Sequence, residues 1–436
     1  MRFLGIGDTC DLAALYHRLT LDGHEVRMSV TEPMCHGILA GMVERVEAWE
    51  DQLDWVQAAG QDGVILFENV AQERGALQDR LRRDGYNVIG GSALGDRLEN
   101  DRAFAQMVLA SLGLQTADTW SFGTLQEGLA LLDARPRRYV LKWNGQGFGA
   151  YDNYVGRLPD GRDVRAVLAA KFRQFGRERL SYILMDYIEG VEMGVGAYFD
   201  GQRFLEPACL DWEHKRFFPG DLGELTGEMG TVATYDRSGG FFSRTLKKTE
   251  GLLRDAGYFG YVNLNTIVNA DGIWPLEFTC RFGYPGFAVL EPLQETRWAE
   301  LFRNLVTRAG EPFRTRPGYS VGVVMTTPPF PSIRRYVDAP IGVSILFDGA
   351  LTAKDAANLH FGEVALDEAG ELVTSGYHGW TMVITGTGTT VAAAQASAYA
   401  LADRAIIPNV RYRRDIGAKL IAGDLAVVER LGHLAP

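Results

Sequence analysis

The chain has 436 residues, of which 46% are hydrophobic and 23% charged, and its formal net charge is -11 at pH 7. This is an ordinary globular balance, enough for roughly two to four structural units without disulfide or metal staples. The negative charge argues against a broad nucleic-acid footprint, which needs clustered Lys and Arg, and no run of about 18 apolar residues is present to span a membrane.

Residues 2–7 pattern as a buried strand ending in glycine, and residues 12–22 as a helix with Leu12, Leu15, Tyr16 and Leu19 on one face. The opening MRFLGIGDTC is therefore read as structure and not as a targeting segment, and a cytoplasmic location is expected. Further strands are expected at 25–30, 63–67 and 87–90, with a helical pattern at 72–83. Strands alternating with helices imply a parallel sheet covered on both faces, so residues 1–97 are expected to form an open doubly wound domain. Cys10, Cys35, Cys209 and Cys280 have neither zinc nor redox spacing and read as reduced thiols.

A helix at 101–112 leads into a second unit, expected over 98–325. Within it a small lid is expected at about 115–190. A strand at 138–143 brings Lys142 to the start of Asn144-Gly145-Gln146-Gly147-Phe148-Gly149. An ammonium beside closely approaching glycine N–H groups suits a polyphosphate, although the same residues also make an ordinary surface turn. The strand at 182–187 carries Met185 and Tyr187 and is followed by Glu189 and Glu192. An apolar strand edge offers backbone groups to a base, and a carboxylate beyond it accepts from ribose hydroxyls; a plain strand and turn fits too.

Residues 213–216 (EHKR) and 224–230 (ELTGEMG) place cations beside a glycine-rich loop, which is either an anion site or a solvated turn. Strands at 260–268 and 273–278 are joined by Asn269-Ala270-Asp271-Gly272, a strong hairpin signal. Alternation puts Glu277, Thr279 and Arg281 on one face, with Asn263 and Asn265 able to share it. One carboxylate with neutral oxygen ligands is chemistry for a hard cation such as Mg²⁺, and the adjacent Arg281 suits a transferring phosphoryl group. A structural Glu–Arg pair is the plainer alternative. The prolines at 315–331 suggest a boundary, with short strands at 343–347 and 381–385 and a helix at 391–406 making a mixed α/β domain over 326–436.

Taken together these segments resemble the ATP-grasp superfamily, and within it glycinamide ribonucleotide synthetase (phosphoribosylamine–glycine ligase). That family has a strand-end lysine before a glycine loop, then D-H-K-R, P-N-T-G-G-M-G and E-F-N-x-R-F-G-D-P-E segments. The corresponding residues here are Lys142 with WNGQGFG, EHKR, ELTGEMG and, at 277–286, EFTCRFGYPG. Residues 412–417 (YRRDIG) look like its Y-R-x-D-I-G, and 99–105 (ENDRAFA) like its E-x-S-K-A-F-A, with Arg102 where a lysine is usual. Six collinear matches over nearly the whole chain are more specific than any one of them.

The resemblance implies an α/β ATP-grasp fold with an N-terminal doubly wound domain and a C-terminal mixed α/β domain. It implies an ADP-forming ligase, monomeric or homodimeric, that joins a small carboxylate to an amine through an acyl phosphate. ATP would be held by Arg102, Lys142, Gly147, Met185, Tyr187 and Glu192. Mg²⁺ or Mn²⁺ would be held by Glu277, Thr279, Asn263 and Asn265. Arg281, Lys215 and Arg216 would carry the catalytic charge stabilisation. Asp8, His214, Thr226, Gly227, Glu228, Tyr284, Arg414 and Asp415 would face the substrates. The chain departs from the family on that last side. Its first loop is GIGDTCD in place of G-x-G-G-R-E-H-A, Thr279 replaces the metal-motif Asn, and Tyr284-Pro285-Gly286 replaces D-P-E. Changed substrates are therefore expected, less suited to a 5′-phosphate, with the family's own ligase activity and a non-catalytic ATP-binding paralogue as the alternatives.

Overall fold

The computed structural model describes residues 1–68, 74–144, 152–175 and 179–434. Its N-terminal unit is a parallel five-stranded sheet of β1 (Arg2–Gly7), β2 (Glu25–Val30), β3 (Glu44–Arg45), β4 (Gly63–Phe67) and β5 (Val88–Ile89), in the order β3-β2-β1-β4-β5. Strands β1 and β4 are near-continuous apolar runs because helices cover both their faces; Phe3, Leu4, Ile6, Val64, Ile65, Leu66 and Phe67 are wholly buried. Strand order reverses beside β1, so the loop after Gly7 sits at the crevice where open α/β sheets receive ligands.

The segment expected to be a lid contains an antiparallel sheet of β6 (Thr119–Thr124), β7 (Tyr139–Trp143), β8 (Tyr154–Val155) and β9 (Arg179–Asp186), ordered β6-β9-β7-β8. Helices Leu125–Ala134 and Arg162–Phe175 pack on it. This segment has a core of its own, centred on Leu132, Tyr139, Leu141, Leu168, Tyr182 and Leu184.

The remaining strands are β10 (Val191–Phe199), β11 (Cys209–Glu213), β12 (Arg216–Phe218), β13 (Leu222–Leu225), β14 (Gly230–Thr234), β15 (Gly260–Asn269), β16 (Gly272–Thr279), β17 (Tyr319–Thr326), β18 (Leu346–Phe347), β19 (Leu359–Phe361), β20 (Val364–Leu366), β21 (Leu372–Thr374), β22 (Trp380–Gly388) and β23 (Ala405–Ile406). Eight of them form one sheet in the order β16-β15-β10-β11-β14-β17-β22-β19. Here the structure differs from the expected boundary at 315–331. That stretch contains β17, buried along its whole length and paired on both sides. Its prolines flank the strand and cost it no ladder bonds, so the sheet runs on into the C-terminal segment. Among the described residues no helix is long and apolar enough to cross a membrane.

Candidate active site

The site is assembled by strand register. Asn265 pairs with Glu277 and Asn263 with Thr279 across β15 and β16. Two places along the sheet, Asp211 and Glu213 alternate onto the same face of β11. The Asn263 amide donates to Asp211 Oδ2 at 2.6 Å, and the Asn265 amide donates to Glu213 Oε2 at 3.0 Å. Strand β10 lies between these partners, and they meet over it because it carries Gly194 and Gly196 there. A Cβ on Gly194 would collide with the Asp211 carboxylate, and one on Gly196 with the Tyr261 hydroxyl. These side chains line a cavity of about 370 Å³.

One wall of the cavity is a charge network. Lys215 Nζ contacts Glu277 Oε1 at 3.1 Å, Glu213 Oε2 at 3.0 Å and Glu192 Oε1 at 3.2 Å, and Arg102 reaches Glu277 Oε2 at 3.2 Å. Burial works against the Lys215 charge, but Glu213, Glu192 and Glu277 outweigh it and hold the ammonium well above its ordinary value. Lys215 in turn, with Lys142 and Arg102, holds the Glu277 carboxyl far below the usual carboxylate range. Lys142 projects from the end of β7, so it is the β6–β9 sheet's contribution to this charge. Burial brings its ammonium down to about 8, Glu277 opposes the shift, and Arg102 and Lys215 add to it. Arg281 is fixed by Glu99, which accepts from its Nε at 3.0 Å and from the Cys280 amide at 3.0 Å.

The opposite end is acidic and aromatic. Thr226, Gly227, Glu228 and Tyr284 line it together with Asp11, Asp211, Thr231 and Trp380. Tyr284 stacks on Trp380 with ring centroids 5.0 Å apart, and His378 stacks on the same indole at 4.8 Å. Burial raises the Glu228, Asp211 and Asp11 carboxyls above the ordinary range.

Several residues expected at the site lie elsewhere. His214 is a buried staple: its Nδ1 donates to Gly230 O at 3.2 Å, its Nε2 accepts from the Gly417 amide at 3.1 Å, and burial lowers it to about 4, so it is neutral at pH 7. Arg216 donates to Gly223 O at 2.6 Å inside the β12–β13 hairpin. Arg414 is on the surface beside Asp403, at 2.9 Å. Asp415 clamps the wholly buried Arg413 at 2.7 Å and accepts from the Gly220 amide at 2.9 Å. None of these four lines the cavity. Asp8 accepts from Arg74 and Thr31, and it is Asp11 that faces the cavity. Met185 sits on β9, which is flanked by β6 and β7 and is therefore not the strand edge expected there. The Arg138 guanidinium lies 3.3 Å over the Tyr187 ring. Gly147 lies outside the described residues.

The sequence reading missed Asp211, Glu213 as a site residue, Glu99, Trp380 and Glu68. The first two had a signal, acids two apart in the apolar run CLDWE. Glu68 lies behind the cavity and shapes its floor: its carboxylate accepts from the Cys10 amide at 3.0 Å, the Leu12 amide at 3.5 Å and the Tyr16 hydroxyl at 3.3 Å, and so sets the loop that presents Asp11.

For a metal, the donors are the Glu277 carboxylate and the oxygens of Asn263, Asn265 and Thr279, the Asn263 amide nitrogen being taken by Asp211. The Asn265 amide nitrogen is already used by Glu213, which leaves its oxygen as the acceptor. Among the described residues no group of three or more His, Cys, Asp or Glu side chains could hold a metal ion. One carboxylate with neutral oxygens nonetheless fits Mg²⁺ that keeps waters and binds substrate phosphates.

Residues 100–287 match the family model described as phosphoribosylglycinamide synthetase, ATP-grasp (A) domain. This segment is similar to an ATP-grasp domain of that type. Over 379 residues the chain is 26% identical to the phosphoribosylamine–glycine ligase of Listeria monocytogenes, covering 84% of this chain and 86% of that one. The fold superposes on the crystal structure of phosphoribosylamine–glycine ligase from Thermotoga maritima with a TM-score of 0.70 at 23% identity, covering 95% of this chain and all of the other. It also resembles the biotin carboxylase domain of a 2-oxoglutarate carboxylase from Hydrogenobacter thermophilus, crystallised with MgADP, at a TM-score of 0.63 and 14% identity over 99% of this chain and 98% of that one. Lys142 lies on β7, Arg102 begins the helix Arg102–Ser111, and Lys215, Glu277 and Arg281 lie on or beside β11 and β16.

Proposed function

We propose that the chain is an ADP-forming ligase that activates a small carboxylate as an acyl phosphate and joins it to an amine. The observation that carries this reading is the meeting of Arg102, Lys215 and Arg281 with one ionised carboxylate, Glu277, around a single cavity, with Lys142 near enough to act on the Glu277 charge. Lys142 and Arg102 hold the ATP phosphates. Glu277, Asn263, Asn265 and Thr279 hold Mg²⁺, which supplies charge neutralisation to those phosphates. Lys215 and Arg281 stabilise the charge that develops as the γ-phosphoryl group passes to the carboxylate oxygen. The amine then attacks the acyl carbon, phosphate leaves with the bonding pair, and ADP is the second product. Little covalent chemistry falls to the protein, so the rate comes from positioning and charge stabilisation.

The substrates are changed relative to phosphoribosylamine and glycine. Asp11 of the first loop faces the cavity, and Tyr284 and Gly286, which also line it, replace two acids of the family motif. The test is ADP release across a panel of carboxylates and amines, with phosphoribosylamine plus glycine included. Rapid turnover of that last pair would return the protein to the family reaction. ADP release from none of the pairs, with Mg-ATP bound, would favour the non-catalytic paralogue.

A further inference from the structure

Charge pairing divides the cavity into two unlike ends. Six carboxylates and three cations line it. Glu277 and Glu213 are paired by Lys215 and Arg102, and Glu99 by Arg281. Among the described residues no direct ion pair joins the other three, Asp11, Asp211 and Glu228, although Lys215 acts on Asp211 and Glu228 from farther off, and His378 and Arg281 on Asp11. Asp211 and Glu228 are only 6% and 5% exposed, and Asp211 Oδ1 and Glu228 Oε1 have no hydrogen-bond partner among the described residues. The Thr231 hydroxyl, the Tyr284 hydroxyl and the Trp380 indole N–H are in the same condition, and all line this end.

Burial favours the protonated form of these acids, and their unpartnered oxygens remain costly; a ligand that supplies donors and positive charge would satisfy the oxygens and favour the carboxylates. The acids are too dispersed to gather as a metal site. The stacked Tyr284–Trp380 pair forms an apolar wall beside them. A Cβ on Gly227 would come within 3.1 Å of the Trp380 ring, so the glycine lets the Glu228 backbone approach that wall.

We propose that this end of the cavity recognises an organic cation: one substrate of the ligase carries a protonated amine or guanidinium on a hydrocarbon skeleton, and no phosphate. Its charged group lies among Glu228, Asp211 and Asp11, and its hydrocarbon lies against Tyr284 and Trp380, where cations are also favoured. The free hydroxyl and indole N–H accommodate an acceptor elsewhere on the same molecule. The assignment rests on the ligase reading for its role, but the cation site stands on these side chains alone.

The experiment is calorimetric titration of the full chain with 1,4-diaminobutane, lysine, glycine, ribose 5-phosphate and MgCl₂, each with and without a non-hydrolysable ATP analogue. The diamine and lysine should bind, and ribose 5-phosphate should not. Glu228→Gln, which keeps the shape and removes the charge, should weaken the cations by at least about tenfold, as when one partner of a buried charge pair is neutralised. Asp211→Asn is the second variant and should act in the same direction. Equal affinity for glycine or ribose 5-phosphate, displacement of the diamine by equimolar Mg²⁺, or an unchanged diamine affinity in both variants would overturn the cation site. If the cations bind without nucleotide and the ATP analogue does not bind at all, the ATP reading fails and the cation site survives. If the analogue binds and no cation does, the reverse holds.

Discussion

Lys142 offers a quantitative test of nucleotide binding. Before nucleotide binds, burial holds its ammonium at about 8, so near pH 8 about half of the molecules carry the charge. Phosphate oxygens beside it favour the charged form and return it toward its ordinary value. Binding must therefore take up protons, about half a proton per nucleotide at pH 8. Affinity then falls as pH rises through the free-state value and should be about tenfold weaker at pH 9 than at pH 7. If the shift recovered is about two units, the linkage amounts to about 2–3 kcal/mol. The assay is calorimetry at pH 7, 8 and 9 in buffers of different ionisation enthalpy, on the wild type, Lys142→Arg and Lys142→Met. The arginine variant should bind without pH dependence, and the methionine variant should bind weakly at every pH with no proton uptake. Proton uptake of the same size in Lys142→Met, or none in the wild type at pH 8, would refute the placement of this ammonium on the phosphates.

Glu277→Gln should lower ADP formation by about two to three powers of ten, because the one ionised metal ligand and the partner of two cations is lost, with the circular-dichroism spectrum unchanged; near-normal turnover would make Glu277 structural. Arg413→Ala should cost about 1–3 kcal/mol in urea unfolding, since Asp415 loses its buried guanidinium while the part-exposed Asp221 keeps Lys419; a loss near zero would contradict the clamp. Burial, and then the Asp11 charge, raise the Glu68 carboxyl above its usual range, so the folded chain holds a proton that the unfolded chain gives up. That contribution is complete below about pH 4 and is lost as pH climbs through the raised value, so Glu68→Gln should flatten the decline of melting temperature toward alkaline pH; an unchanged slope would exclude Glu68 as its source.

The apolar runs located β1 and β4 with their observed bounds because both faces of those strands are covered, and β2 was found at its observed bounds from the alternation of Val26, Met28 and Val30. The Asp271-Gly272 turn likewise located the hairpin that holds Glu277 and Asn265 opposite each other. Proline content misled at β17, where it marked the strand's flanks and carried no information about sheet pairing. The substrate end was harder to read for a related reason. Trp380 is brought to Tyr284 by a strand about a hundred residues later, and Asp211 meets Asn263 over glycines of a third strand. Nothing local in sequence reports such meetings. Arg414 and Asp415 were drawn toward the site by motif likeness alone, whereas their neighbour Arg413 shows that the segment closes over the β12–β13 hairpin.

The sheet that continues through β17 also limits how this chain can be taken apart. Cutting it near residue 326 would strip β22 from β17 and leave a long apolar edge open to other chains. The β6–β9 sheet, by contrast, keeps its own interior, and among its described residues Lys142 is the cation that acts on Glu277. A recombination that exchanged this sheet would cross few packed contacts, while one that exchanged C-terminal halves would have to carry Trp380 and half of a sheet with it. The β6–β9 sheet can therefore change piecemeal, whereas the cavity wall that includes Trp380 has to be inherited with the large sheet.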